Sequence, residues 1–328
     1  MDARHVAQST DSAGQVGVEL ADLATRLAVA LPGEMCGQMG RVRRSRFERP
    51  PEPEAVIERI GALVESLGAP VAAGVGVAFW GRVEPVRGEV ADARAGAAWA
   101  GFPFGARLAA RLGAPVRLMT GVSAAARAEA LAGAAAGRSP LLYVHLGRRV
   151  TSALALDGVP LLGAHYDAGR LGHWQTGLDG PRCACGAQGH LDPLVSAQSL
   201  VRLAIGVAAD DEDTLAAIHR VTGMRAEALT AAQLIGLARD GVRPLRDLVE
   251  YALDALAGAL ANLVMTLDPA VIVIGGPLAL ADEVFFVWLR ERLAAHLAGA
   301  PPEIAAAACE PFGALRGAIW PEPASGAN

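Results

Sequence analysis

The 328-residue chain has no lysine: all 29 of its basic residues are arginine. That absence excludes Schiff-base catalysis and the lysine of a phosphate-binding P-loop. Cysteine is scarce, with four in the chain. Cys36 and Cys309 stand alone and read as small buried residues, whereas Cys183 and Cys185 are separated by a single residue. No apolar run reaches the roughly 18–20 residues that span a bilayer. The polar opening MDARHVAQSTDSAGQ lacks the apolar core of a signal peptide. A net charge of −5 leaves no basic excess for a general nucleic-acid surface. The expectation is a cytoplasmic protein with no membrane contact and no direct nucleic-acid contact. Its cysteines would be reduced there, so the close pair suits a metal better than a disulfide.

Hydrophobic content of 52% with 19% charged residues is that of a globular protein large enough for two lobes. QVGVEL, LAVAL and RVRRSRF read as a three-strand meander. From Pro53 the apolar positions Val56, Ile57, Ile60, Leu63, Val64 and Leu67 share one helical face that Gly68 ends. VAAGVGVAF is a buried strand, FGARLAARLG a helix and PVRLM the next strand. Ser123 is placed to cap the alanine-rich helix that follows. LLYVHLG and TSALALDG form a hairpin, residues 196–266 are mostly helical, and DPAVIVIGG is a buried strand ending in a glycine pair. EIAAAAC and FGALRGAIW supply a last strand and helix. The same order of strands, hairpin and helices recurs in both halves, as in a duplicated α/β unit.

The polar segment GRLGHWQTGLDGPRCACGAQGHLD, residues 169–192, carries His173, Cys183, Cys185 and His190. Spacing alone fits either a four-ligand zinc site or two reduced cysteines beside two surface histidines. His145, His165, His219 and His296 are isolated and read as structural or solvated. The acids of DDEDT suit the positive end of a helix. Trp80 and Trp99 read as packing of the first lobe.

From about residue 16 to the end, the chain resembles the ROK (repressor, open reading frame, kinase) family. GHWQTGLDGPRCACGAQGH is similar to its zinc-loop signature, and LANLVMTLDPAVIVIGGPL to its long helix and adenosine-side Gly-Gly turn. GVGVAFWGRVE, AAWAGFPFGARLAARLGAPV and FGALRGAIW resemble its first-lobe and C-terminal segments. The resemblance implies a two-lobed actin-like, sugar-kinase-type α/β fold, a duplicated ribonuclease H-like unit with a zinc-loop insertion. Its expected parts are a polar tail at 1–15, an N-terminal lobe at 16–119 and a C-terminal lobe at 120–328. The zinc loop is 169–192, and the last helix packs back on the N-terminal lobe. It implies structural zinc on His173, Cys183, Cys185 and His190, an adenosine side at Gly275 and Gly276, and sugar contacts at Thr120, Arg170, His173 and Asp192. A homodimer is also implied.

The chain departs from the family where chemistry is concentrated. Thr120 and Gly121 stand where the family has an Asn-Asp pair whose carboxylate accepts the sugar proton. The nearest following acid is Glu129. GVELADLATRLAV keeps an acid at Glu19 but loses the two glycines of the first phosphate turn, and LGRRVTSAL keeps only Gly147 of the second. Arg148, Arg149 and Val150 do not readily give the close backbone approach that glycine allows. Arg170 replaces a glutamate and supplies only donors. It either pairs with Asp192 and fills the pocket, or selects an anionic ligand such as a sugar phosphate or sugar acid.

These departures lead to the expectation of a catalytically impaired family member, a pseudokinase without assigned catalytic residues and without ATP or Mg²⁺. It would act as a sensor of a carbohydrate-derived ligand or as a protein-interaction module. An active carbohydrate kinase using Asp92, Asp167 or Asp192 as base is the alternative. A third reading is a regulator working through a DNA-binding partner, since only about 15 residues precede the first strand, too few for a three-helix reader.

Overall fold

The computed structural model describes residues 15–21, 26–32, 39–68, 71, 73–91, 96–177 and 180–319. It divides into two compact units, one formed by the chain up to Ala125 together with the segment from Phe312, the other by Ala126–Pro311.

The first unit opens with β1 (Gln15–Ala21), β2 (Arg26–Pro32) and β3 (Met39–Arg46), followed by α1 (Pro53–Leu67) and β4 (Gly74–Phe79). A short hairpin of β5 (Val83–Glu84) and β6 (Glu89–Val90) leads to α2 (Phe104–Leu112) and β7 (Val116–Thr120). The sheet order is β3-β2-β1-β4-β7. The meander pairs antiparallel, and β1, β4 and β7 run parallel. α1 starts on a proline at its first turn and stops at Gly68, whose φ of 62° is left-handed. Its buried face, including Val56, Ile57, Ile60, Val64 and Leu67, is the one its spacing predicts. Trp99 is fully buried between Phe79 and Phe104, and its indole N–H donates to the Pro51 carbonyl at 2.9 Å. Trp80 stacks on Phe79 with ring centroids 5.1 Å apart.

α3 (Gly121–Ala132) carries the chain onward. Ser123 is not its cap. The helix begins two residues earlier, where the Thr120 hydroxyl at the end of β7 reaches the Ser123 amide at 3.2 Å and donates to the Ser123 hydroxyl at 2.8 Å.

The second unit contains β8 (Leu141–Leu146), β9 (Val150–Leu156) and β10 (Val159–Pro160), then α4 (Asp192–Val195) and α5 (Ala197–Ala209). There follow α6 (Glu212–Thr222), α7 (Ala231–Arg239), α8 (Arg243–Leu267), β11 (Val271–Gly275), α9 (Glu283–His296) and β12 (Glu303–Ala306). The sheet order β10-β9-β8-β11-β12 repeats that of the first unit: two antiparallel pairings, then three parallel strands. Asp211 and Thr230 cap α6 and α7, the latter with a reciprocal Thr230–Gln233 capping box. Among the described residues α8 alone is long and apolar enough to cross a membrane, and half of that window is buried inside the protein. Its buried face, from Leu245 to Ala261, lies in the core of the unit with α5, α7 and α9. Cys309 is fully buried and disulfide-bonded, not a lone thiol; Cys36 lies outside the described residues.

α10 (Gly313–Ile319) belongs to the first unit, where it packs on β1 and β4. The contact is backbone to backbone. A Cβ on Gly76 would lie 1.8 Å from the Ala318 carbonyl oxygen, and one on Gly317 would lie 1.7 Å from that of Ala124.

Candidate metal centre and ligand site

Segment 169–192, which follows β10, lies against β9 at both of its ends. The Ser152 amide donates to the Gly169 carbonyl at 2.9 Å, and a Cβ on Gly169 would lie 2.0 Å from the Ser152 carbonyl oxygen. Farther on, Leu191 N donates to Trp174 O at 3.0 Å and Thr176 N to Gly189 O at 2.8 Å. These bonds lay the two histidine-bearing stretches side by side, with Gln175 paired to His190.

The four ligand atoms of His173, Cys183, Cys185 and His190 converge within 4.8 Å of one another. The two Nδ1 atoms are 3.2 Å apart, Cys185 Sγ is 3.3 Å from His190 Nδ1, and Cys183 Sγ is 3.7 Å from His173 Nδ1. A tetrahedral zinc with ordinary Zn–N and Zn–S bonds needs ligand–ligand edges of about 3.3–3.8 Å. The donor set therefore fits zinc in chemistry, and the three distances given lie close to those edges, within a set that spans 4.8 Å. Burial, aided by Arg170, lowers the His173 pKa and favours the neutral imidazole that a metal requires. Burial raises the Cys183 thiol, whereas a hydrogen bond with the Ala187 backbone lowers that of Cys185.

Asp192 lies two residues beyond His190 and is 7% exposed. Its Oδ1 accepts from the Val150 amide at 2.6 Å, and its Oδ2 faces Arg149 Nε at 3.4 Å. Arg170 does not pair with Asp192. It reaches Asp167 at 2.9 Å, three residues earlier in the same segment, while Arg149 from the β8–β9 turn lies on the Asp192 side. Sequence reasoning takes Arg149 as a lost glycine whose side chain can still hold an anion, and misses its place beside Asp192. A basic residue two positions into a tight hairpin turn was the available signal.

A second polar cluster lies at the carboxyl ends of the parallel strands β8, β11 and β12, and sequence reasoning passed it over. The buried Tyr143 hydroxyl donates to Glu310 Oε1 at 3.2 Å, and His145 Nδ1 is 3.5 Å from the same oxygen. Burial pushes the Glu310 carboxyl up, but His145, Tyr143 and the Gly276 amide hold it below its ordinary value. Burial and the Glu310 charge push the Tyr143 phenol well up. The cluster accounts for the glycine at 275, where a Cβ would lie 2.4 Å from the Tyr143 hydroxyl. Gly276 has a φ of 92° and touches the Leu146 backbone. Gly147 leaves room for the His145 ring, whose Nε2 would be 2.5 Å from a Cβ there.

Gly121 opens α3 with no side chain, next to the capping Thr120. Glu129, the next acid along, is 1% exposed and accepts from the amides of Ala134, Ala308 and Cys309 at 2.8, 3.1 and 2.7 Å. Burial raises its pKa even so. Its carboxylate pins the end of β12 to α3 and is not offered to a substrate.

The glucokinase of Thermotoga maritima is 27% identical over 283 residues, spanning 86% of this chain and 87% of its own. The N-acetyl-D-glucosamine kinase of Salmonella gallinarum is 29% identical over 305 residues, 87% of this chain and 94% of its own. Among solved structures, a ROK family glucokinase from Streptomyces griseus in complex with glucose and AMPPNP superposes with a TM-score of 0.79. That match has 24% identity and covers 93% of this chain and 97% of the other. The ROK family model matches residues 22–321, which takes in the second sheet, the first sheet apart from β1, and the Cys/His cluster, and the chain belongs to the ROK family.

Proposed function

We propose that the chain binds a hexose or hexose derivative as a sugar kinase does, and that its phosphoryl transfer is impaired. Similarity to a glucokinase and an N-acetyl-D-glucosamine kinase over most of the chain supports the sugar-kinase half of this reading. The Streptomyces griseus neighbour holds glucose and AMPPNP, so ATP with Mg²⁺ belongs to the reading, against the expectation drawn from the altered turns. A cytoplasmic setting and a homodimer go with it.

The impairment rests chiefly on Gly121, the first residue of α3, which offers no proton acceptor, and secondly on Arg148, Arg149 and Val150 in the β8–β9 turn. Phosphoryl transfer depends mainly on positioning and charge stabilisation, so losing the base slows the reaction without forbidding it. General base catalysis contributes about 10²–10⁴-fold. Taken from the about 1–100 per second usual for kinases, the turnover expected here is roughly 10⁻⁴ to 1 per second. The stronger statement, a pseudokinase serving only as sensor or interaction module, has less support than this one. A regulator acting through a DNA-binding partner has no residue in its favour.

Of the acids considered as replacement bases, Asp192 is engaged by Val150 and Arg149, Asp167 is paired with Arg170, and Asp92 lies outside the described residues. The test couples ATP turnover to a panel of hexoses, N-acetylhexosamines and their phosphates, with calorimetric binding of each sugar in parallel. Sugar binding with turnover below about 1 per second is expected. Turnover above about 10 per second would remove the impairment, and binding of no sugar would remove the whole reading.

A further inference from the structure

We propose that Asp192 is a positioning residue that ties the β8–β9 turn to the Cys/His metal centre, so that metal held there orders the turn. This goes beyond the sugar-kinase reading and does not depend on whether sugar is phosphorylated.

Three observations carry it. First, Asp192 follows His190 by two residues, and the intervening Leu191 is buried and hydrogen-bonded to Trp174, which adjoins His173. Fixing the two histidines therefore fixes the start of α4, where Asp192 stands. Second, both carboxylate oxygens of Asp192 turn to the β8–β9 turn: Oδ1 to the Val150 amide at 2.6 Å, Oδ2 to Arg149 Nε at 3.4 Å. A short buried bond to an ionised acceptor is among the stronger kinds. Third, the segments are in contact with no side chain between them. A Cβ on Gly172, the residue before His173, would lie 2.4 Å from the Val150 carbonyl oxygen and 3.2 Å from Asp192 Cβ. Ala197 N adds a bond to Gly147 O at 2.9 Å, so the junction of α4 with α5 holds the other side of the turn.

Between Leu171 and Leu191 the one buried side chain among the described residues is Cys183, with Trp174 half-buried against the core. Metal would add to the backbone bonds Leu191–Trp174 and Thr176–Gly189 as a constraint on the path from His173 to Asp192. Coupling of this kind is reciprocal: what metal does for the turn, the turn contact does for metal affinity by the same factor. Outer contacts of metal ligands change affinity by about 10–100-fold.

The experiment measures Zn²⁺ affinity by chelator competition and amide hydrogen exchange at Val150, in the full-length protein and in Asp192→Ala and Asp192→Asn. Asp192→Ala is expected to weaken Zn²⁺ about ten-fold and to speed Val150 exchange by a similar factor. Asp192→Asn, whose amide oxygen still accepts from Val150, recovers part of both. Chelation of the unaltered protein speeds Val150 exchange as Asp192→Ala does, and the two effects do not add. Unchanged Zn²⁺ affinity in Asp192→Ala overturns the proposal. So does chelation that loosens residues 173–190 and leaves Val150 protected. If Asp192→Ala does not fold, Asp192→Asn and Arg149→Ala are read the same way, and unchanged affinity and exchange in both overturn it. No readout involves sugar or ATP, so a failed kinase assay leaves this result standing.

Discussion

A Cβ at position 121 would lie 3.7 Å from the Phe79 carbonyl oxygen, an ordinary contact. Gly121→Asp is therefore expected to fold with unchanged stability and to place a carboxylate at the head of α3. It is not expected to restore fast turnover, because Arg148, Arg149 and Val150 still occupy the β8–β9 turn. Recovery to about 10 per second or more in the coupled assay would show that the turn matters less than the base. The lost acid and the lost glycines were legible in the sequence because they are changes of residue type at recognisable spacing. The partner of Asp192 was not: Arg170 and Arg149 were equally charged choices, and which one lies beside the acid depends on how segment 169–192 returns along β9.

At the scale of elements, α10 shows what close packing demands of a sequence. It meets β4 and α3 through bare backbone at Gly76 and Gly317. Gly317→Ala is expected to cost about 1–3 kcal/mol or more, since backbone, not a mobile side chain, must give way. A lower urea midpoint with unchanged slope is the measurement. Gly206→Ala, in α5 with nothing within 4 Å of the added carbon, is the contrasting case and should be neutral or stabilising by up to about 1 kcal/mol. A Gly317→Ala variant as stable as Gly206→Ala would show that the backbone contact does not constrain position 317. Helix and strand positions were largely legible, from the apolar face of α1 to the glycine that ends it. The start of α3 was misread because two hydroxyls three residues apart, Thr120 and Ser123, are both competent caps.

At the scale of the molecule, zinc on His173, Cys183, Cys185 and His190 would pin the stretch between the core residues Leu171 and Leu191, where Cys183 is the one buried side chain among the described residues. Purified protein is expected to contain about one zinc per chain, and chelation is expected to lower its thermal midpoint, because metal that binds the folded state alone stabilises it. Well under one zinc per chain by elemental analysis, or a midpoint indifferent to chelator, would leave the four residues as thiols and imidazoles that merely adjoin.

The sequence alone determined the repeated order of strands and helices, the grouping of His173, Cys183, Cys185 and His190 within one polar segment, and the absence of an acid at 121, since periodicity, spacing and residue type are local properties of the chain. Only the tertiary structure decided what those residues meet. Asp192 finds Val150 across 42 positions, and Tyr143 finds Glu310 across 167. Sheet register and the return of segment 169–192 against β9 bring such partners together, and no local pattern encodes the distance between them.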